Sequence, residues 1–205
     1  QNYFLPLSYG TGYNESQDDY DNLEGQFQIS AKYPLALNVT PVGGDLYFTY
    51  TNISNWQMYS SDSAFRNITH EPELLLDFGQ NWEFGGIQNT NILVGYNHQT
   101  NGQSDQDARS WDRIFADFIF AHKDFSLSAR VWYPVSDDNG ADNNHDIVDY
   151  IGYHELNGRY YWNDQTFSAK TTWSINDGHF GATVGWEKPI TPAFSLYVEG
   201  FTGYG

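Results

Sequence analysis

The stretch Ile92-Leu93-Val94-Gly95-Tyr96-Asn97-His98-Gln99-Thr100 decides the fold. In an extended chain Ile92, Val94 and Tyr96 share one side, and period two puts His98 and Thr100 on that side as well. The same alternation recurs on both flanks. Phe27, Ile29, Ala31 and Tyr33 alternate with Gln26, Gln28, Ser30 and Lys32. Phe125, Leu127, Ala129, Val131 and Tyr133 follow the rule, as do Phe167, Ala169, Thr171, Trp173 and Ile175. Phe180, Ala182, Val184 and Trp186 come next, then Phe194, Leu196 and Val198. Such patterns mark strands with one apolar and one polar face. Weaker versions cover 2–9, 46–51, 74–78, 112–120 and 150–162, for eleven expected strands.

A soluble barrel would turn its apolar faces inward, and a membrane barrel turns them out to lipid. Loop lengths separate the two. Segments 10–24, 55–71, 101–111 and 136–149 are long, whereas 121–124 and 163–166 are tight, 37–45 shorter and 80–91 intermediate. Long loops on one rim and short turns on the other are the outer-membrane pattern. Tyr33, Tyr96, Tyr133, Trp173 and Trp186 near strand ends suit aromatic girdles. The expectation is an all-β, transmembrane antiparallel β-barrel of the bacterial outer membrane, a single domain over 1–205. Single-chain barrels have even strand numbers. Eleven strands therefore imply a twelve-stranded barrel whose last strand lies beyond Gly205.

Composition agrees. Aromatic residues make up 18% of the 205 residues (16 Tyr, 14 Phe, 7 Trp), against 40% hydrophobic residues in all. With 9 Lys and Arg against 26 Asp and Glu, the net charge of −17 argues against a nucleic-acid partner. Cysteine is absent, so disulfides and thiolate metal sites are excluded. No run of about 18 apolar residues exists for a membrane helix. The opening Gln1-Asn2-Tyr3 reads as a mature or trimmed start. Four Asn-X-Ser/Thr matches, at Asn14, Asn38, Asn52 and Asn67, are chance matches in a bacterial barrel.

The next strand carries Asp112, Ile114, Ala116, Phe118 and Phe120 on its lipid side. An antiparallel hairpin through 101–111 then sets Asp112 beside His98, at the long-loop end. A hydroxyl, an imidazole and a carboxylate thus converge on the outer wall, where polar groups are costly and call for a reason. That trio is the arrangement of nucleophilic acyl transfer. Thr100 would attack, His98 would take its proton, and Asp112 would hold the imidazole. Only a lipid reaches that wall, so a glycerophospholipid ester is the expected substrate.

These residues resemble the outer-membrane phospholipase A family. The resemblance is carried by Tyr96-Asn97-His98-Gln99-Thr100-Asn101-Gly102 and Arg109-Ser110-Trp111-Asp112-Arg113. Phe65-Arg66, Glu71-Pro72-Glu73-Leu74, Trp132-Tyr133 and Gly203-Tyr204-Gly205 are similar too, so it spans nearly the whole chain. It implies a twelve-stranded, calcium-dependent barrel that hydrolyses phospholipid acyl esters and is activated as a homodimer. It also implies that the Gly102 backbone N–H serves the oxyanion hole. Thr100 stands where the family has its serine nucleophile, and Asp112 where it has an orienting asparagine. For calcium, the resemblance implies the Gln103 carbonyl, the position of Ala108, where a serine hydroxyl is lost, and Asp62 from a partner subunit. Asp138 matches a further calcium-linked aspartate, and Asp105 is another carboxylate nearby.

By parity Arg113, Asp117, Arg130, Lys170 and Glu199 face the lumen, as structural ion pairs in a narrow interior. His70, His122, His145, His154 and His179 show no partner at ligand spacing and read as bland. Two other functions fit the sequence. One is a catalytically silent barrel of the same family, structural or lipid-binding, and the other is a small-solute pore.

Overall fold

The computed structural model describes residues 2–11, 21–103, 108–135, 144 and 146–204. Its strands are β1 (Tyr3–Tyr9), β2 (Leu23–Ala36), β3 (Asp45–Trp56), β4 (Phe65–Phe84), β5 (Ile87–Thr100), β6 (Ser110–His122) and β7 (Phe125–Pro134). After a short helix α1 (Ile147–Ile151) come β8 (His154–Trp162), β9 (Gln165–Trp173), β10 (Phe180–Pro189) and β11 (Ser195–Gly203). All eleven form one sheet in sequence order, each antiparallel to the next. The sheet curls until its two edges meet, where the Tyr3 and Tyr197 rings stand 5.3 Å apart. It is a near-closed barrel.

The side chains are distributed inside out for a soluble protein. Ile114 is 52% exposed and Val184 61% exposed, and Phe48, Leu74, Val94, Tyr96, Phe118, Val131 and Val198 are open as well. Inside lie Asn97, Arg113 and Asp117, with Asp117 only 5% exposed. A charged interior with an apolar outer belt is stable only if lipid covers the belt. Tyr33, Tyr96 and Tyr133 are exposed as girdle residues should be, whereas Trp173 and Trp186 are half-buried.

The lumen is filled. Arg130 donates to Glu73 at 3.0 Å and to Asp117 at 3.4 Å, and the Ser128 hydroxyl donates to Asp117 at 2.6 Å. Asn97 and Thr49 donate to the two oxygens of Glu73, at 3.2 and 3.0 Å. Above this layer Leu75, Trp111, Phe115 and Trp132 form the apolar core, and the Arg113 guanidinium lies 4.3 Å from the Trp111 ring. Arg130 is thus shared by two buried carboxylates, the pairing a low-dielectric interior favours, whereas the Arg113 Nε is buried without a hydrogen-bond partner. Nearer the rim, Arg66 grips Glu24 with two hydrogen bonds of 2.7 and 2.9 Å. Asn55 and Gln57 donate to the same carboxylate, so a buried acid pins the strand ends around the long loops.

Three boundaries differ from expectation. The long loop expected over 55–71 spans only 57–64, because β3 runs to Trp56 and β4 already begins at Phe65. The connection expected over 80–91 is a two-residue turn at Gly85-Gly86, because β4 runs on to Phe84 and β5 begins at Ile87. Gly79-Gln80-Asn81 interrupts the apolar alternation at a register shift, which hides the continuation to Trp82 and Phe84. Its backbone is satisfied by ladder bonds whatever its side chains, so the apolar pattern stops before the hairpin does. The strand expected over 150–162 starts only at His154, and Tyr150 belongs to α1. There Gly152, at φ 69°, turns the chain, and its carbonyl accepts the buried Trp132 indole N–H at 3.0 Å. Among the described residues no helix is long and apolar enough to cross a membrane.

Candidate active site on the outer wall

The β5–β6 hairpin builds the site. Its register pairs Val94 with Ala116, Tyr96 with Ile114, His98 with Asp112, and Thr100 with Ser110. Below the polar pair the outward residues are apolar; above it the hairpin opens into its loop. The His98 Nδ1–H donates to Asp112 Oδ1 at 2.7 Å. The imidazole is 39% and the carboxylate 24% exposed. A carboxylate can only accept, so Nδ1 carries the proton, and in the neutral ring Nε2 holds the free lone pair. Tyr96 stands one diagonal step down the hairpin from Asp112.

Thr100 lies two residues beyond His98 on the same face, and its Oγ1 accepts the Gly102 backbone N–H at 3.2 Å. Gly102 has φ +66°, a left-handed conformation that favours glycine. The loop is braced by Asn101, whose N–H donates to the Arg109 carbonyl at 2.9 Å. Its side-chain oxygen takes the N–H groups of Gln103 and Arg109. On the lumen side the Trp111 indole donates to Gln99 at 2.8 Å, fixing the same two strands from behind. Gly102→Ala should therefore cost about 1 kcal/mol in backbone strain. Urea unfolding in detergent checks this, and an unchanged midpoint would contradict it.

The family model described as Phospholipase A1 matches residues 1–205. The chain belongs to the phospholipase A1 family. A phospholipase A1 of Escherichia coli K12 is 35% identical over 184 residues, 89% of this chain and 63% of that protein. A putative phospholipase A1 of Neisseria meningitidis serogroup B is 32% identical over 203 residues, 96% of this chain and 53% of that one. The chain therefore spans less than two thirds of the curated relatives it matches. Among solved structures, outer membrane phospholipase A of Escherichia coli superimposes with a TM-score of 0.92 at 32% identity, covering all of this chain and 81% of that one. The Salmonella typhi outer membrane phospholipase, a dimer with bound calcium, gives 0.92 at 30% identity, with 100% and 82% covered. The barrel is an outer-membrane barrel, and its family is enzymatic.

Within this phospholipase A1 family frame, the positions that the resemblance links to calcium are unequal. Gln103 offers its backbone carbonyl on the loop after Gly102, and Asp62 sits exposed on the β3–β4 connection. Both are hard oxygen donors of the kind calcium takes. Ala108 does not fit: it has no side-chain oxygen, and its carbonyl already accepts from the Arg109 guanidinium at 2.8 Å. Asp105 and Asp138 lie outside the described residues. Among the described residues no three His, Asp or Glu cluster as a metal site.

The sequence reading passed over three residues at this site. Besides Tyr96, they are His70, which pairs with Thr100 across β4–β5, and Tyr50, whose hydroxyl lies 2.6 Å from His70 Nδ1. The signal was available in the β4 parity: Leu74 is on the lipid side, so His70 is too.

Proposed function

We propose that residues 1–205 form a single barrel domain of an outer-membrane phospholipase that hydrolyses acyl esters of glycerophospholipids at the β5–β6 hairpin. The observation that carries this reading is the 2.7 Å His98–Asp112 bond on the outer wall, with Thr100 two residues further along the same face of β5. His98 Nε2 is the base that takes the Thr100 proton, and Asp112 holds the ring and stabilises the imidazolium. Thr100 Oγ1 adds to the ester carbonyl. The Gly102 N–H turns from Thr100 Oγ1 to the carbonyl oxygen as negative charge builds there. The adduct then collapses: the bond to the glycerol oxygen breaks, and that oxygen takes the proton from His98 and leaves as the lysophospholipid alcohol. Water gives a proton to His98 as it adds to the acyl-threonine, and His98 returns it to Thr100 Oγ1 as the fatty acid departs. Hydrolysis of phosphatidylethanolamine in mixed micelles tests the proposal; no release of fatty acid under any cation or dimer-promoting condition would leave the silent-barrel reading, which Ala108 favours. The filled lumen gives the pore reading no support.

Active protein is proposed to be a homodimer, with calcium taken by the Gln103 carbonyl and by Asp62 of the partner subunit. When bound, calcium would add positive charge beside the oxyanion. Since Ala108 contributes nothing, Asp62 should matter more. We expect a chelator to abolish activity, and Asp62→Ala to raise the calcium needed for half-activity by about tenfold, the size of one lost charged ligand. Sedimentation that stays monomeric with calcium and a substrate analogue would contradict the dimer.

A further inference from the structure

A groove of about 340 Å³ opens on the rim directly beyond Thr100, between the start of β4 and the loop after β5. It is lined by Asn67, His70, Asn101, Gly102 and Gln103, with Phe65 and Ile68 as its apolar part. Its size falls at the lower end of ligand pockets, roughly 300–1,000 Å³. We propose that this groove is the head-group subsite of the lipid, and that the His70 Nε2–H donates to a phosphate oxygen there. The proposal rests on the hydrolase reading above and deepens it.

The tautomer of His70 follows from its partners. Asn52 Nδ2 donates to the Thr69 carbonyl at 3.3 Å, and the Ser54 hydroxyl donates to Asn52 Oδ1 at 2.9 Å, which fixes the orientation of the amide. That Nδ2 lies 3.4 Å from His70 Nδ1, with the Tyr50 hydroxyl on the same nitrogen at 2.6 Å. An amide nitrogen can only donate, so Nδ1 is the acceptor and Nε2 carries the proton. Nε2 is also the nitrogen on the Gly102 side: a Cβ built on Gly102 would lie 3.4 Å from it. A neutral donor is thus held beside the hydroxyl, yet on a different strand from His98.

Polarity sets the direction of the lipid. With the ester at Thr100, the acyl chain has an apolar track on one side only, over the exposed Tyr96, Val94 and Leu74. The glycerol and phosphate must leave the other way, into the groove, where side-chain amides and the His70 N–H replace the water they lose.

The test compares phosphatidylethanolamine with a diacylglycerol of the same chains in one uncharged detergent. His70→Phe keeps a ring but loses the donor, and should lower the phospholipid-to-diacylglycerol rate ratio about tenfold, chiefly through KM, as expected for one lost hydrogen bond to a charged group. His70→Gln, which can still donate, should recover most of the ratio. An equal loss on both lipids would overturn the subsite. A second arm needs no turnover: calorimetric binding of hexadecylphosphocholine should weaken about tenfold in His70→Phe, while hexadecyl maltoside binding stays unchanged. This arm separates failure of the hydrolase reading from failure of the subsite. Equal affinities of wild type and variant for the phosphocholine would end the proposal.

Discussion

His98→Ala is expected to reduce phospholipid hydrolysis by about 10⁴-fold or more, the loss typical when the base of a nucleophile–base pair is removed. That corresponds to about 5.4 kcal/mol of transition-state stabilisation. The barrel itself should survive. The imidazole is on the outer wall and 39% exposed, and it makes no part of the Glu73–Arg130–Asp117 lumen network. The heat-modifiable gel shift of a folded barrel is therefore expected to be that of the wild type. Asp112→Asn should cost less than about tenfold, because it restores the orienting asparagine that the family resemblance implies at this position, whose amide oxygen can accept the Nδ1–H. Asp112→Ala should cost far more, since the ring then loses its anchor. A folded His98→Ala protein that turns over at the wild-type rate would remove His98 from the mechanism.

How much of this could be read from the chain depends on which physical rule each residue obeys. Strand parity is strict, so a single apolar alternation in β5 assigned His98 and Thr100 to the outer wall. A hairpin of known length then paired His98 with Asp112, as the register has it. The lumen positions of Arg113, Asp117 and Arg130 followed from the same rule, and Arg130 pairs there with Glu73 and Asp117. What parity does not supply is the partner strand on the other side. Register across β4–β5 depends on where β4 begins, and the sequence hid both ends of β4 beneath polar residues. Extended only over 74–78, that strand never reached His70, which therefore read as a bland histidine. Once β4 starts at Phe65, His70 pairs with Thr100 and brings Tyr50 with it. The same blindness applied to α1, where Tyr150 looked like one more alternating aromatic. Its helix is a local response to Gly152, and no period-two pattern encodes that. Ala108 is a different case: its missing hydroxyl was legible, but the engagement of its carbonyl by Arg109 needed coordinates.

Thr100 decides between a working enzyme and a silent relative, and its substitutions are expected to be decisive in both directions. Thr100→Ala should abolish hydrolysis, with a loss comparable to that of His98→Ala, because nucleophile and base act as a unit. Thr100→Ser should preserve or raise the rate. The threonine methyl restricts χ1, and the hydroxyl must serve two geometries in turn. In the resting protein Oγ1 accepts from the Gly102 N–H at 3.2 Å; in the reaction it must give its proton to His98 and meet the ester carbon. Serine can make that turn with all its staggered rotamers available. A gain of about tenfold would correspond to roughly 1.4 kcal/mol, a reasonable size for relieved crowding. If the wild type is inactive only because the methyl obstructs attack, Thr100→Ser alone should start hydrolysis, since His98, Asp112 and the Gly102 N–H are already assembled on one hairpin. Fatty-acid release measured with calcium present and at concentrations that favour dimers reads the outcome. Should wild type and Thr100→Ser both stay inactive there, the obstruction lies outside the hydroxyl, and Ala108→Ser becomes the substitution that must restore the rate.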